Sequence, residues 1–384
     1  MKICLANNLY KPYARGGAET VASVMVKELR RRGHAVAVAA TRPLFFGRKK
    51  VAEEAGNYYL PSFFFHLARL PLAIRLAWHL LDMFDPVNFF RLFVYFKREK
   101  FDLVITHNLK GLGFLAPLAI CLSGARHIHI IHDIQLIHPS GLMFFGREKT
   151  IDSWPARIYQ AANIFLFKPV SAVVSPSAWL LELHRDRGFF KDSRLLQIAN
   201  PVSLEADPGK SERPFRRRFR FFYVGLLEKH KGVGRLVRAF KKISTMAEAE
   251  LVVAGGGSLL SDLRKEAAGC GNIRILGRIE NETVRRLMGE SDCLVVPSLC
   301  YENSPAVIYE AFAAGLPAIG SKLGGIAELI GDDALLFAPK EDDIGRKMRF
   351  VMENRASLEK NRERNAELAE SSSPSGYIDM ILNL

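Results

Sequence analysis

The stretch PSLCYENSPAVIYEAFAAGLPAIGSKLGGIAE, residues Pro297–Glu328, carries the densest signal in the chain. It follows a short apolar run, Cys293–Val296, that reads as a buried strand, and it opens a helix over Ala306–Ala314. Ser304 stands where an N-cap would, and Pro305 suits a first helical turn. The free N–H groups of Ala306 and Val307, with Asn303 and Ser304 beside them, then face outward toward an anion, helped by the helix dipole. That is a seat for a diphosphate. Glu302 lies just ahead of the helix and Glu310 inside it, where a carboxylate can accept both hydroxyls of a ribose.

Working outward, strands and helices alternate in two series. Apolar runs at Lys2–Ala6, His34–Thr41, Leu103–Thr106, His127–Ile131, Ala172–Ser175 and Leu195–Ala199 read as strands, with helices at Glu19–Arg32 and Ser177–Arg187 among those between them. A second series has strands at Arg220–Val224, Glu250–Ala254, Ile273–Leu276, Cys293–Val296 and Ala318–Gly320. Its helices read at Gly234–Ile243, Leu259–Ala268, Glu282–Glu290, Ala306–Ala314 and Ile326–Ile330. Pro201, Pro208, Gly209 and Pro214 punctuate the boundary between the series. The pattern predicts α/β architecture: two doubly wound domains facing across a cleft, residues 1–203 and 204–361, with a terminal helix over about 362–384 packing back on the first.

Composition limits the alternatives. With 384 residues, 49% hydrophobic and 24% charged, the chain is globular and has a large core. No signal peptide and no spanning segment is apparent; Gly111–Ala125 is too short to cross a membrane and reads as a buried helix. The five cysteines are scattered, Cys4 and Cys293 in strands, which suits a reducing cytoplasm rather than a disulfide or zinc framework. The net charge is uneven: residues 1–200 carry 27 Lys/Arg against 14 Asp/Glu, and residues 201–384 carry 27 against 26. Anionic lipid or a phosphorylated acceptor fits that asymmetry, and no nucleic-acid-binding motif accompanies it. Residues 60–100 mix Phe, Leu and Trp78 with Arg69, Arg75, Arg91, Lys97, Arg98 and Lys100. They read equally as a patch meeting a membrane surface or as two helices packed on the first sheet.

The motifs around Pro297–Glu328 resemble glycosyltransferase family 4. They are Pro297–Ser298, the E-x7-E pair Glu302 and Glu310, then Ala311, Ala313, Gly315 and Pro317, then Gly324, Gly325 and Glu328. The likeness extends over nearly the whole chain: Gly16–Gly17 before the first helix, His132–Asp133 after HIHII, Asn200–Pro201–Val202, and Gly225, Lys231 and Gly232 in YVGLLEKHKGV. Gly255–Gly256–Gly257 resembles a glycine turn under the nucleotide, and Gly277–Arg278–Ile279 a loop that reads the base. One departure is clear. Leu226 stands where the family has an arginine that grips the donor diphosphate, an interaction worth about 1.5–3 kcal/mol. Lys229 or Arg278 could supply a cation in its stead.

The resemblance implies a GT-B fold and a retaining glycosyltransferase that moves a sugar from a UDP- or GDP-sugar to a glycan or lipid-linked acceptor in cell-envelope polysaccharide synthesis. It places His132, Glu302 and Lys231 at the reaction centre. The donor falls to Gly16, Gly17, Gly225, Lys231, Arg278, Ile279, Asn303, Ser304, Ala306, Val307 and Glu310. No D-x-D is present in these motifs, so no metal or other cofactor is expected; Lys231 and helix N-termini would meet the phosphate charge. A cytoplasmic enzyme at the inner face of the plasma membrane is the expectation. A nucleotide-sugar epimerase on the same fold, or a sugar-binding module without activity, is the alternative.

Overall fold

The computed structural model describes residues 1–14, 16–44, 56–202, 218–243 and 248–384, without the side chains of residues 68, 69, 72, 73 and 76. Pro208, Gly209, Pro214 and the Arg69 side chain therefore lie outside the described residues. The chain divides into two compact units: residues 1–142, 149–201 and 374–384, and residues 143–148 and 202–373.

The first unit is built on β1 (Lys2–Ala6), α1 (Gly17–Arg31), β2 (Ala35–Pro43), β3 (Tyr58–Ser62), α2 (Leu72–Met83) and α3 (Pro86–Glu99). It continues through β4 (Leu103–Thr106), α4 (Ala116–Ser123), β5 (Arg126–Ile130), α5 (Trp154–Leu166), β6 (Ala172–Ser175), α6 (Ala178–Arg185) and β7 (Arg194–Gln197). The strands form one parallel sheet ordered β3-β2-β1-β4-β5-β6-β7. All four residues of β4 and of β6 are buried, as a parallel sheet covered on both faces demands.

The second unit runs β8 (Phe219–Val224), α7 (Val233–Ile243), β9 (Ala249–Ala254), α8 (Leu260–Ala267), β10 (Ile273–Gly277), α9 (Asn281–Gly289) and β11 (Cys293–Val296). Then come α10 (Ala306–Ala313), β12 (Ala318–Ser321), α11 (Gly324–Ile330), β13 (Leu336–Phe337), α12 (Glu341–Glu353), α13 (Ala356–Glu359) and α14 (Arg362–Ser371). Its parallel sheet is ordered β10-β9-β8-β11-β12-β13. Arg220, buried in β8, is answered by Glu250 at 2.6 Å and Glu290 at 3.1 Å, so the charge is not left bare in the core.

Four expectations change. The terminal segment 362–384 is two helices, α14 and α15 (Pro374–Leu382), because Ser372, Ser373 and Pro374 break the register. α14 stays with the second unit, and α15 packs on α1 in the first, where Arg32 bonds Asp379 at 2.5 Å. Tyr377, Ile378 and Ile381 of α15 fill the same core as Met25 and Leu29 of α1. Gly111–Ala125 is a turn followed by the short α4, and Leu122 on α4 is exposed rather than buried. Gly111 and Gly113, with φ of +85° and +100°, hold the turn in left-handed backbone that postpones the helix. Finally, the sheets have two more strands than the apolar runs suggest, β3 and β13, both at edges.

Candidate active site

In the second sheet the chain steps from β8 outward through β9 to β10, then returns to β11 on the other side of β8. β8 and β11 are therefore the switch point, where the loops leaving the carboxyl ends of neighbouring strands diverge and leave a crevice. Sequence-marked residues meet here.

From β8 the chain enters a short 3-10 turn, Lys229–Lys231, closed by Gly232 in left-handed backbone at φ +73°. A Cβ on Gly232 would lie 1.8 Å from the carbonyl oxygen of Pro297, so only glycine lets this turn approach the loop leaving β11. The amide of Leu299 then donates to the His230 carbonyl at 2.8 Å. This contact aims Lys231, whose Nζ donates to Glu302 Oε2 at 2.6 Å. Burial works to lower the Lys231 pKa, but the charge and hydrogen bond of Glu302 outweigh it, and the net shift is upward. The ammonium is held charged.

Glu302 is fixed through its backbone as well: its carbonyl accepts the Gly325 amide at 2.8 Å, at the start of α11. Ser304 and Pro305 differ from expectation. Pro305 is itself the N-cap of α10, no side chain caps the helix, and Ser304 Oγ turns to the Tyr309 hydroxyl at 3.2 Å. A proline has no amide to satisfy and needs only its carbonyl, which accepts the Ile308 amide at 3.1 Å. The amides of Ala306 and Val307 thus keep no side-chain cap at the positive end of the helix. Asn303 is buried beside them, and Glu310 is exposed on α10. Partial desolvation raises the Glu310 pKa, against the attraction of Arg285.

The glycine turn after β9 is knitted to the same edge. Gly255, at φ +142°, would place a Cβ 1.8 Å from the Gly225 carbonyl, and the Leu227 amide donates to the Gly256 carbonyl at 2.9 Å. The Gly225 loop is thereby held tight, but Leu226 offers only an exposed apolar side chain. Lys229 is exposed in the turn that carries Lys231. Arg278 and Ile279 follow β10, separated from β8 by β9, with Arg278 exposed.

Gly16, Gly17 and His132 belong to the first unit, at the carboxyl edge of its own sheet. Gly16 caps α1, and its amide donates to the Glu19 carboxylate. His132 follows β5. Its Nε2 shares a 2.8 Å hydrogen bond with His107 Nδ1, and the two rings stack 5.1 Å apart. Burial lowers its pKa to about 4, leaving a neutral imidazole. His127 and His129 meet at Thr106 Oγ1, at 2.7 and 2.8 Å, inside the core. Sequence reasoning missed His107; its signal was its place directly after β4, the strand beside the switch point of this sheet.

A further feature had no sequence signal. Residues 143–148, from between β5 and α5, run against the Leu299–Tyr301 loop of the second unit. Phe144 bridges Cys300 antiparallel, the Tyr301 amide donates to Met143 at 2.9 Å and Tyr301 Oη donates to Glu148 at 3.1 Å. Among the described residues, no cluster of three His, Cys, Asp or Glu side chains is placed to hold a metal ion.

Two family models match the chain: one described as a glycosyl transferase 4-like domain over residues 16–201, the other as glycosyl transferases group 1 over residues 209–369. A 42.6 kDa protein from the cps region of Klebsiella pneumoniae is 28% identical over 342 residues, 86% of this chain and 87% of its own. The UDP-Gal:alpha-D-GlcNAc-diphosphoundecaprenol alpha-1,3-galactosyltransferase of Escherichia coli is 26% identical over 278 residues, 68% of each chain. Among solved structures, Anabaena Alr3699/HepE in complex with UDP has a TM-score of 0.69 at 16% identity, covering 100% of this chain and 99% of that one, a likeness of fold.

Proposed function

The chain belongs to the group 1 glycosyl transferases, with the GT-B fold, and on that premise we propose that it transfers a sugar from a nucleotide-diphosphate sugar to a glycan or lipid-linked acceptor in cell-surface polysaccharide assembly. The cps-region and diphosphoundecaprenol-acting relatives support that class of product, and the latter favours a UDP-sugar over a GDP-sugar. The observation that carries the reading is the Lys231–Glu302 pair beside the uncapped start of α10, at the switch point of the second sheet.

In this reading the donor diphosphate lies against the Ala306 and Val307 amides and Lys231, and the ribose hydroxyls donate to Glu310. Negative charge grows on the departing diphosphate as the bond to the anomeric carbon breaks. A positioned ammonium and helix end stabilise that charge more than they stabilise the ground state. The acceptor oxygen attacks from the face that the diphosphate leaves, its proton passes to a phosphate oxygen, and configuration is retained. Glu302 holds Lys231 in place and supports the donor sugar. Gly16–Gly17 and the neutral His132 are assigned to acceptor hydroxyls. The charge needs no divalent ion, because Lys231 and the amides answer it.

Thermal shift with UDP, GDP, ADP and CMP tests the donor site. A ligand bound only by the folded chain raises the melting temperature. A shift with UDP that is lost in Lys231→Ala is expected. No shift with any nucleotide would remove the donor site from this crevice.

A further inference from the structure

The outer face of the first unit carries a surface that the sugar chemistry does not use. The connections β3 to β4, β4 to β5 and β5 to β6 all step in one direction across the sheet. Right-handed crossovers therefore lay α3, α4 and α5 side by side on one face. Each buries one side: Leu92 and Phe96 of α3, Ala119 and Ile120 of α4, Tyr159 and Asn163 of α5. The opposite sides look away from the sheet, where helices of a soluble domain are normally polar.

Here they are apolar. Phe90 and Val94 of α3, Leu122 of α4, and Trp154, Ile158 and Phe165 of α5 are all exposed, Trp154 and Phe165 to 75%. Single exposed apolar side chains are ordinary, but six on three neighbouring helices make a surface that calls for a partner. The charges between them have one sign. Arg91, Lys97 and Arg98 lie on α3 and Arg157 on α5, and α4 has no charged residue. The only acid of the three helices, Glu99, is bonded to Lys2 at 2.9 Å and to Arg98 at 2.8 Å, so the positive charge of the face rests on Arg91, Lys97 and Arg157.

We propose that this face docks on an anionic lipid surface, with the aromatic and aliphatic side chains at the acyl boundary and the arginines and lysines among the headgroup phosphates. The patch expected at residues 60–100 meets this face at α3, with Ile74, Leu80, Leu81 and Phe84 of the α2 region exposed as well; α4 and α5 carry the apolar surface beyond it. A second copy of the chain is the poorer occupant. A two-fold contact would set these basic residues against themselves, and the one acid of these three helices, Glu99, is already paired. Among the described residues no helix is long and apolar enough to cross a membrane, so the contact lies along the surface. The inference is independent of the donor site, which is in the second unit.

Co-sedimentation of the full chain with phosphatidylcholine vesicles, with and without phosphatidylglycerol, tests it. Binding is expected only with phosphatidylglycerol, and it should weaken with added salt. Arg91→Gln with Arg157→Gln should lower the partition coefficient about thirty-fold, at about 1 kcal/mol per basic residue. Phe90→Ser with Phe165→Ser should abolish pelleting. Nucleotide-induced thermal shift, read in the same samples, should be unchanged in both variants, which shows them folded and separates this result from the donor-site reading. Equal binding to both vesicle types, variants that pellet like the parent chain, or loss of a dimer in sedimentation velocity with no change in lipid binding would each overturn the proposal.

Discussion

Gly232 offers the sharpest test of how the site is built. In Gly232→Ala the new Cβ starts 1.8 Å from the Pro297 carbonyl oxygen, whereas an ordinary C···O contact is about 3.3 Å. The turn must retreat by about 1.5 Å, which stretches the 2.8 Å bond between the Leu299 amide and the His230 carbonyl past any useful length. Left-handed backbone at an alanine costs about 1–2 kcal/mol and the lost hydrogen bond about 1 kcal/mol, so about 2–3 kcal/mol in all. That corresponds to a fall of about 4–12 °C in the melting temperature of a unit this size. Gly269→Ala is the matched control: its φ is +81°, yet nothing lies within 4 Å of its Cβ, so only the backbone term applies. Differential scanning fluorimetry reads the stability, and titration calorimetry with UDP reads the site, since the retreat carries Lys231 away from Glu302. If Gly232→Ala melts with Gly269→Ala and binds nucleotide like the parent chain, the close approach does not position Lys231, and the argument fails.

Other outcomes follow from the same geometry. Lys231→Met should cut the transfer rate by about 10²–10³ in steady-state assays, the usual cost of one preorganised charge donor. A normal rate would take Lys231 out of the site. In a double-mutant cycle with Glu302→Gln, the pair should show a coupling of about 1–2 kcal/mol by chemical denaturation; additive effects would mean that the 2.6 Å contact is energetically idle. Glu310→Gln should weaken nucleotide binding by calorimetry while leaving the melting temperature within a few degrees, and unchanged affinity would refute its ribose role. Transfer should persist in EDTA; loss restored by a divalent ion would show that Lys231 and the α10 amides do not suffice. Stability should also fall with acid. Burial holds His127 at about 3 in the folded chain against an ordinary 6.5, so its contribution is complete above pH 6.5 and is lost as pH falls toward 3. Asp82, which burial raises to about 7, weakens the fold in the other direction, as pH rises through the range between its ordinary value of 3.8 and 7. The clean measurement is therefore a difference: His127→Gln should flatten the dependence by about 1.4 kcal/mol per pH unit between 6.5 and 4. An unchanged slope would mean that the native histidine is already charged.

Much of this architecture is readable from local pattern. β11 and α10 announce themselves because a run of Cys293, Leu294, Val295 and Val296 ends at Pro297 and a helix-forming run resumes at Ala306. The sequence also marks Lys231, Gly232 and Glu302, but not that they touch: 71 residues separate Lys231 from Glu302, and only the adjacency of β8 and β11 brings them together. Ser304 misled because a hydroxyl before a proline looks like a cap, whereas the cap is the proline carbonyl. β3 was hidden by Pro61, tolerable on an edge strand, and β13 by its length of two residues. The docking face was half visible, since periodicity distinguishes an apolar side from a polar one but not which side meets the sheet.

Residues 143–148 bear on modularity. The loop that presents Glu302 has its antiparallel partner in a segment encoded in the first half of the chain. The two halves are consequently not interchangeable cassettes divided at residue 202. A chimera that imports the donor half of a relative inherits a foreign strap beside its reaction loop, and a separately expressed residue 202–384 fragment uncovers Cys300. Recombination that respects this protein must cut in four places, at 142/143, 148/149, 201/202 and 373/374, and carry residues 143–148 with the half they serve.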